Sequence, residues 1–182
     1  RIEEKTFEDC SSLESINIPK GVEIIGFGAF SGCESLTNIN IPDSVIYIEP
    51  FAFSDCKSLE SITIPNSVKC INDWNDGHDG YIFSGCSNLK SVVLSNQLTI
   101  IPEYCFKGCS KLTSITIPDT VAKICCNAFE NCESLPQIVI PDSVGIIENR
   151  AFQGCSNLKS ITLSNILGKI EEYTFYECKN LE

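Results

Sequence analysis

Three regularities in the sequence predict a β-rich solenoid, in which the chain winds into a stack of short coils. Cysteine recurs every 23 residues in all but one interval, at positions 10, 33, 56, 86, 109, 132, 155 and 178. A leucine follows three residues after each of these anchor cysteines, and two aliphatic residues follow at the sixth and eighth positions wherever the chain extends that far. Self-similarity at a fixed period of about 20–50 residues is typical of stacked repeat architectures.

The segment after each leucine is predicted to form a short β-strand with one buried face. In the second repeat, Ile39 and Ile41 alternate with asparagines. Alternation of β-branched and small polar residues is typical of a half-buried strand. Proline or serine follows directly. Because proline has no amide hydrogen to donate and favours turns, the strand is expected to end there.

A second apolar pair, such as Val45 and Ile48, follows the turn, and Phe53 comes five residues later. Each repeat therefore offers about six large apolar side chains, whose burial contributes on the order of 10–15 kcal/mol. Ordering the 23 residues of one repeat costs about 1–2 kcal/mol per residue in backbone entropy. A single repeat therefore cannot fold alone, and stacking must supply the difference.

The repeat C-x-x-L-x-x-I-x-I-P-x-x-V-x-x-I-x-x-x-A-F-x-x-C resembles the leucine-rich repeat of BspA-like surface proteins and of Treponema pallidum repeat proteins. Copies such as NIPKGVEIIGFGAFSGC and IPDSVGIIENRAFQGC are typical of it. The resemblance implies a curved, right-handed leucine-rich repeat solenoid with a parallel concave sheet. Short strands or 3₁₀ turns are implied on the convex side. It also implies a cell-surface or secreted protein that acts in adhesion by binding host or bacterial surface proteins.

The whole chain, residues 1–182, is predicted to be one array of about seven full repeats. Ile2 and Leu181 both occupy repeat positions, which favours a piece of a longer array whose capping and targeting segments lie outside it. The third repeat is irregular, because twelve residues separate Ile71 from Phe83 where five are usual. An insertion in a solenoid maps to a loop, which we place within residues 72–82.

Composition excludes several classes of function. The formal net charge is −11, and the 13 lysines and arginines form no basic stripe, so a nucleic-acid partner is not expected. No apolar run approaches the roughly 18 residues that a membrane span needs, so we expect no membrane insertion. The sequence has a single histidine, no C-x-x-C pair, no nucleophile elbow and no phosphate-binding loop. We therefore expect no enzymatic activity, no metal centre and no cofactor.

The twelve cysteines are interpreted mainly as buried packing residues with free thiols, because a buried cysteine behaves as a small hydrophobe. Eight of them are the anchors, and Cys70 and Cys105 have apolar neighbours or apolar equivalents in other repeats. Cys125 and Cys126 are adjacent, so that both cannot face inward. At least one of these two is expected to be exposed and reactive.

The insertion loop supplies four candidate contact residues, Trp74, Asp76, His78 and Tyr81. Short oxygen-bearing side chains among glycines suit either a solvated turn-rich loop or a calcium loop. The EF-hand pattern is not met, because Gly77 comes one place early and no glutamate stands at the bidentate position. A partner contact through the aromatic residues is the third interpretation.

The candidate binding surface is the outward side of the first strand of each repeat, which the resemblance places on the concave face. Its residues stand five and seven positions after each cysteine and are small, uncharged and mostly hydrogen-bonding. They are Ser15, Asn17, Asn38, Asn40, Ser61, Thr63, Ser91, Ser114, Thr116, Gln137, Ser160 and Thr162, with Val93 and Val139 completing the rows. A crowded parallel sheet by itself would also favour such residues.

Two functions are consistent with this surface. Repeat proteins commonly use an extended face to bind another protein, and a glycan partner is also compatible with hydrogen-bonding side chains. The alternative is a structural spacer that projects another domain, or an intracellular repeat scaffold. The larger candidates for contact, Phe27, Phe51, Tyr104 and Tyr173, are predicted to lie exposed on the opposite side.

Overall fold

The computed structural model describes residues 1–71 and 80–182 of the chain. Within these two ranges the chain forms short strands joined by turns and contains no helix. The strands are β1 (Ile24–Ile25), β2 (Tyr47–Ile48), β3 (Ser61–Thr63), β4 (Ser91–Val93), β5 (Ile100–Ile101), β6 (Ser114–Ile115), β7 (Lys123–Ile124), β8 (Gln137–Val139), β9 (Ile146–Ile147) and β10 (Ser160–Thr162). The predictions for Trp74, Asp76 and His78, and with them the calcium hypothesis, lie outside the described residues.

The first ladder consists of the strands predicted from the L-x-x-I-x-I segments. They form the parallel sheets β3–β4–β6 and β8–β10, and a bridge joins Asn17 to Asn40 in the first coils. Ser61 pairs with Ser91, which pairs with Ser114, so equivalent residues of successive coils lie side by side. The longer third repeat does not disturb this register.

The second ladder consists of the V-x-x-I segments, which form the parallel sheets β1–β2 and β5–β7–β9. Isolated bridges extend it, joining Ile2 to Ile25, Tyr47 to Cys70 and Ile147 to Ile170. Of the two conformations that the resemblance implies for this side, the structure shows short strands. The predicted leucine-rich repeat solenoid of parallel ladders is confirmed.

The A-F segment completes each coil and forms a third set of hydrogen bonds between coils. The amide of Phe106 donates to the carbonyl of Ala128 at 2.8 Å, and the amide of Phe129 donates to that of Ala151 at 2.7 Å. The coils that carry β4 and β6, for example, are hydrogen-bonded to each other on all three sides. This arrangement satisfies backbone groups that would otherwise be buried without partners.

Two backbone positions in this segment have positive φ in every coil. The second of them, directly before the anchor cysteine, is occupied by glycine, aspartate, asparagine or glutamate, as at Gly85 (φ 75°) and Asp55 (φ 56°). Glycine adopts positive φ without steric strain, and aspartate and asparagine tolerate positive φ better than most other residues. The first position, directly before the alanine of A-F, carries bulky residues such as Phe51 and Tyr104.

The interior is a column of stacked phenylalanines with leucines and isoleucines around it. Consecutive rings from Phe7 to Phe175 lie 5.1–5.8 Å apart between centroids and are nearly parallel. From Phe30 to Phe152 the rings are fully buried. The recurring apolar positions therefore point into one shared core, as the repeat pattern predicts.

All twelve cysteines are free thiols, which confirms that prediction. The anchor thiols also have a bonding role that the sequence does not reveal, because each anchor after Cys10 donates to the carbonyl of the phenylalanine that precedes the previous anchor cysteine. Cys109 Sγ, for example, donates to the Phe83 carbonyl at 3.2 Å. Seven such bonds run along the stack, from Cys33, Cys56, Cys86, Cys109, Cys132, Cys155 and Cys178, at 3.1–3.2 Å.

Burial of these thiols predicts a clear labelling pattern. Iodoacetamide at neutral pH should modify the native chain only at Cys10, which is exposed, and at the half-buried Cys70 and Cys178. Burial raises the pKa of Cys33 to about 12 and that of Cys109 well above its ordinary value, so little thiolate forms at the buried anchors.

Mass spectrometry of labelled peptides checks this pattern, and the same labelling after denaturation without reductant should modify all twelve cysteines. Rapid labelling of the central anchors in the native chain would contradict the buried ladder. A denatured chain with far fewer reactive thiols would reveal disulfides instead.

Candidate functional site

The outward side of the first ladder, called here the strand face, consists of the fourteen predicted positions. All fourteen side chains are exposed, while the aliphatic residues between them turn inward. Ile62, for example, is buried between Ser61 and Thr63. The structure thus brings the twelve candidate residues and the two valines onto one continuous surface, although their role in binding stays a prediction.

Shallow grooves cross the strand face. One groove, about 600 Å³, is lined in part by Asn17, Asn40, Asp43 and Lys20, and a neighbouring groove of about 430 Å³ shares Asn40 and Asp43. A third, about 310 Å³, lies over the later coils between Thr116 and Val139. The face is therefore rich in amides in its first coils and in hydroxyl and methyl groups in its later ones.

None of the fourteen side chains on the strand face is charged, although the chain has 37 lysine, arginine, aspartate and glutamate residues in all (13 and 24). Its two aliphatic members are strongly exposed, Val93 by 58% and Val139 by 63%. Charged residues flank the face instead. The repeat offset already places both valines on the outward side, although an aliphatic residue in a strand is usually buried.

On the opposite side, aromatic residues form a second stack outside the core. Phe51 lies 4.7 Å from Tyr81, and Tyr81 lies 4.4 Å from Tyr104, measured between ring centroids, while Phe27 packs on Phe51 at 5.3 Å. These rings half-bury one another, so the expectation that Phe27, Phe51 and Tyr104 are exposed is wrong. Tyr173, in contrast, is 54% exposed, as expected.

Tyr81 belongs to this stack and not to an irregular loop. It has the positive φ that is common to its position in every coil, and Ile82 is buried where other repeats have alanine. Tyr81 and Ile82 are therefore regular repeat residues at the end of the range 72–82 and do not belong to the extra segment that we place within it. The aromatic residue directly before the alanine of A-F was the signal that could have shown this.

One group of potential metal ligands converges within residues 1–71 and 80–182. Glu103, Cys126 and Glu148 place their ligand atoms within 4.8 Å of one another. Glu148, however, already accepts a hydrogen bond from the Cys126 amide at 3.1 Å and pairs with the ammonium of Lys123 at 2.6 Å.

The same arrangement recurs in an earlier coil, which indicates a structural role. Glu49 accepts a hydrogen bond from the Phe27 amide at 2.8 Å and pairs with Arg1 at 2.9 Å. A glutamate at this position thus links its coil to the preceding one. The hydrogen bond and the ion pair of Glu148 therefore explain its position beside Cys126 without a metal ion.

The two adjacent cysteines differ from the prediction made for them. Cys125 is only 6% exposed, and Cys126 is half-buried beside Glu148 and Glu103. Burial, together with the nearby carboxylates, raises the pKa of Cys126 to about 11. Because the thiolate is the reactive form, the expectation of an exposed, reactive thiol at this pair is wrong.

Glu148 gives a testable pH dependence. Burial opposes ionisation of Glu148, but the ammonium of Lys123 and the hydrogen bonds from Cys126 outweigh it, so the pKa lies below its ordinary value of 4.5. A carboxyl with a lowered pKa in the folded state stabilises the fold fully above its unfolded pKa, and this contribution is lost as the pH falls through the folded value. Replacing Glu148 with glutamine should therefore cost less than about 1 kcal/mol at neutral pH and nothing in acid.

Urea unfolding of the Glu148→Gln variant between pH 7 and pH 3 measures this difference. Glu60→Gln is the matched control, because Glu60 pairs with Lys90 at 3.1 Å on the exposed surface. If the cost of Glu148→Gln stayed constant across this pH range, the ion pair with Lys123 would not be its cause.

No segment in the two described ranges is a helix with the length and hydropathy that a membrane crossing requires. Comparison with curated proteins gives no match. Among solved structures, the chain is similar to a leucine-rich repeat protein from Bacteroides ovatus, with 31% identity and a TM-score of 0.69 over 98% of this chain and 56% of that one. The chain thus spans little more than half the length of that relative.

Two further structures are similar. The leucine-rich repeat protein of Treponema pallidum is 26% identical, with a TM-score of 0.65 over 100% of this chain and 71% of that one. A leucine-rich cell surface protein from Faecalibacterium prausnitzii is 24% identical, with a TM-score of 0.56 over 88% of this chain and 62% of that one, and shows likeness in fold alone. The family model for the BspA-type leucine-rich repeat region matches residues 1–75 and 78–182, with six copies. The chain therefore belongs to the family of BspA-type leucine-rich repeat proteins.

Proposed function

We propose that this chain is a non-catalytic protein-binding module of a cell-surface protein and that it contributes to adhesion to host or bacterial surface proteins. The observation that carries the proposal is the strand face, where fourteen exposed side chains lie in rows without a single charge. Repeats that stack in register create an extended surface of this kind, which suits contact with another protein.

The composition of the strand face supports a binding function over a catalytic one. A serine or threonine becomes a nucleophile only beside a base that accepts its proton. The fourteen residues include no histidine, carboxylate or amine that could act as this base. Their hydroxyls and amides can donate and accept hydrogen bonds, as a recognition surface requires.

One observation supports a location outside the cell, and a second is compatible with it. The similar protein from Faecalibacterium prausnitzii is described as a cell surface protein. In addition, eight of the twelve cysteines are buried, and the anchor thiols are bonded to backbone carbonyls. Extracellular surroundings are oxidising, so free thiols persist there only where they are protected in this way.

Binding to a panel of immobilised extracellular matrix proteins tests the proposal. We expect saturable binding to at least one of them, retained after enzymatic deglycosylation of that protein. The double variant Thr63→Lys, Thr116→Lys should abolish it, because two ammonium groups would lie in the otherwise uncharged contact. Ile146→Lys is the matched control, since Ile146 is 51% exposed on the second ladder. The absence of saturable binding to every protein in the panel would favour the spacer.

A further inference from the structure

We infer that the partner presents an amphipathic α-helix to the later coils of the strand face, lying across the strands and along one row of side chains. This inference rests on the proposed function. The row, called here the β-branched row, consists of Thr63, Val93, Thr116, Val139 and Thr162, at equivalent positions in five successive coils. Every member presents a methyl group to the outside.

The β-branched row is an exposed apolar stripe on a polar face. Val93 and Val139 are 58% and 63% exposed, and each is flanked in the row by threonines. Val93 and Val139 lie two coils apart with the methyl-bearing Thr116 between them, and apolar groups grouped in this way mark a contact surface more often than single ones do. A shallow groove between Thr116 and Val139 provides a seat for a convex partner.

The spacing of the row fits a helix. Hydrogen-bonded parallel strands lie about 4.8 Å apart, and β6 and β8 are not hydrogen-bonded to each other, so Val93 and Val139, two coils apart, are separated by roughly 10 Å or slightly more. Seven residues of a helix rise about 10.5 Å, so apolar residues at i and i+7 would reach both valines, with i+3 or i+4 above Thr116. An extended peptide repeats its side chains every 6.6 Å or so and would be out of step with the coils. Five coils span about 19 Å, which corresponds to a helix of roughly 13 residues.

The charges beside the face define the flanks of this helix. The loops that enter these strands carry Glu60, which pairs with Lys90, and Glu133, but the lysines outnumber these acids, so this edge has a net positive charge. The lysines are Lys57, Lys90, Lys111 and Lys159. Asp119 and Asp142 stand in the turns that leave the strands. A helix with acidic residues on the lysine side and basic residues on the aspartate side is complementary to both edges. Rim charges of this kind fix orientation and accelerate association.

Selection from two phage-displayed libraries tests the inference. One library displays randomised 16-residue helices, and the other displays loops of the same length closed by a thioether. Each library is first depleted of phages that bind the double variant Val93→Lys, Val139→Lys. The remaining phages are then selected for binding to the whole, unmodified chain. We expect helices to be enriched, with apolar residues at i, i+3 or i+4 and i+7, and with acidic and basic residues on opposite flanks.

Fluorescence anisotropy with one enriched helical peptide then measures the contact. Val93→Lys, Val139→Lys should weaken binding at least about tenfold, because a central apolar contact is lost. The matched control Val93→Thr, Val139→Thr keeps one methyl group at each position and the shape of the side chain, and should weaken binding less than threefold or so. Exchanging the acidic and basic flanks of the peptide should weaken its binding by a measurable factor that is also less than threefold or so.

Enrichment of loops alone, or of helices that bind the lysine variant equally well, would overturn the inference. If the matrix-protein panel still gave saturable binding sensitive to Thr63→Lys, Thr116→Lys, the proposed function would stand and only the helix would be refuted. If neither the panel nor the libraries gave binding to the strand face, both would fail.

Discussion

Replacing Phe106 with alanine should destabilise the fold by about 4 kcal/mol, because it empties a large volume at the centre of the core. Its ring is fully buried and stacked between Phe83, at 5.6 Å, and Phe129, at 5.3 Å. The loss includes the apolar surface of the ring, the cavity that remains and two aromatic contacts worth about 0.5–1.5 kcal/mol each. Neighbouring coils cannot collapse into this space without breaking hydrogen bonds on three sides.

Urea unfolding followed by far-UV circular dichroism measures this loss. Phe175→Ala is the matched control, because Phe175 contacts only Phe152 in the column, at 5.8 Å, and is partly exposed. We expect the control to lose less than half as much stability as Phe106→Ala. Equal losses of stability at the two positions would show that a phenylalanine stacked on both sides stabilises the fold no more than one stacked on a single side.

Replacing Cys109 with alanine is expected to cost about 2 kcal/mol, through a lost thiol hydrogen bond and a small cavity. The thiol is completely buried and donates to the Phe83 carbonyl at 3.2 Å. A disulfide at this position would remove the donor, which is a physical reason for the anchors to remain reduced. The cysteine ladder is thus a row of hydrogen bonds between coils in addition to a packing element.

The same unfolding experiment tests this role, with Cys10→Ala as the matched control. Cys10 occupies the equivalent position but is exposed in the first coil, so its replacement should cost less than 0.5 kcal/mol or so. Cys109→Ser keeps a donor and should recover part of the loss. An alanine variant at residue 109 as stable as the unmodified chain would contradict the bonding role.

The core and the two ladders could be predicted from the sequence because the apolar period fixes them. Leu112 and Ile117, for example, recur in every neighbouring coil at the same offset and are buried. With parallel pairing, a one-repeat offset is the only register that buries all such positions together. The repeat period therefore predicts how the coils stack as well as where the strands lie.

The remaining features depend on contacts between residues that the period does not single out. Phe51, Tyr81 and Tyr104 are half-buried because each covers the next, although each alone would be exposed at its turn. Their positive φ costs about 1–2 kcal/mol per residue, which stacking offsets. Cys126 is held protonated by Glu148, which is 22 residues away in sequence but adjacent in the stack.

The binding role of the strand face could not be predicted from residue types, since a crowded parallel sheet favours the same residues as a recognition surface. Ser91 and Ser114 pair directly across coils, where a larger side chain would meet its neighbour. Exposure of Val93 and Val139 is the feature that goes beyond this packing requirement. The repeat offset predicts that both positions face outward, and the structure adds how strongly they are exposed.

Far-UV circular dichroism of arrays of increasing length tests most directly whether a coil depends on its neighbours. The series runs from a peptide of residues 109–131, which is one coil, through arrays that add one coil at a time, to the whole chain. We expect no sheet in the single coil and an unfolding free energy that rises with each coil added, since every coil buries its core and bonds its backbone against the next. A single-coil peptide with the spectrum and thermal transition of the whole chain would contradict this dependence.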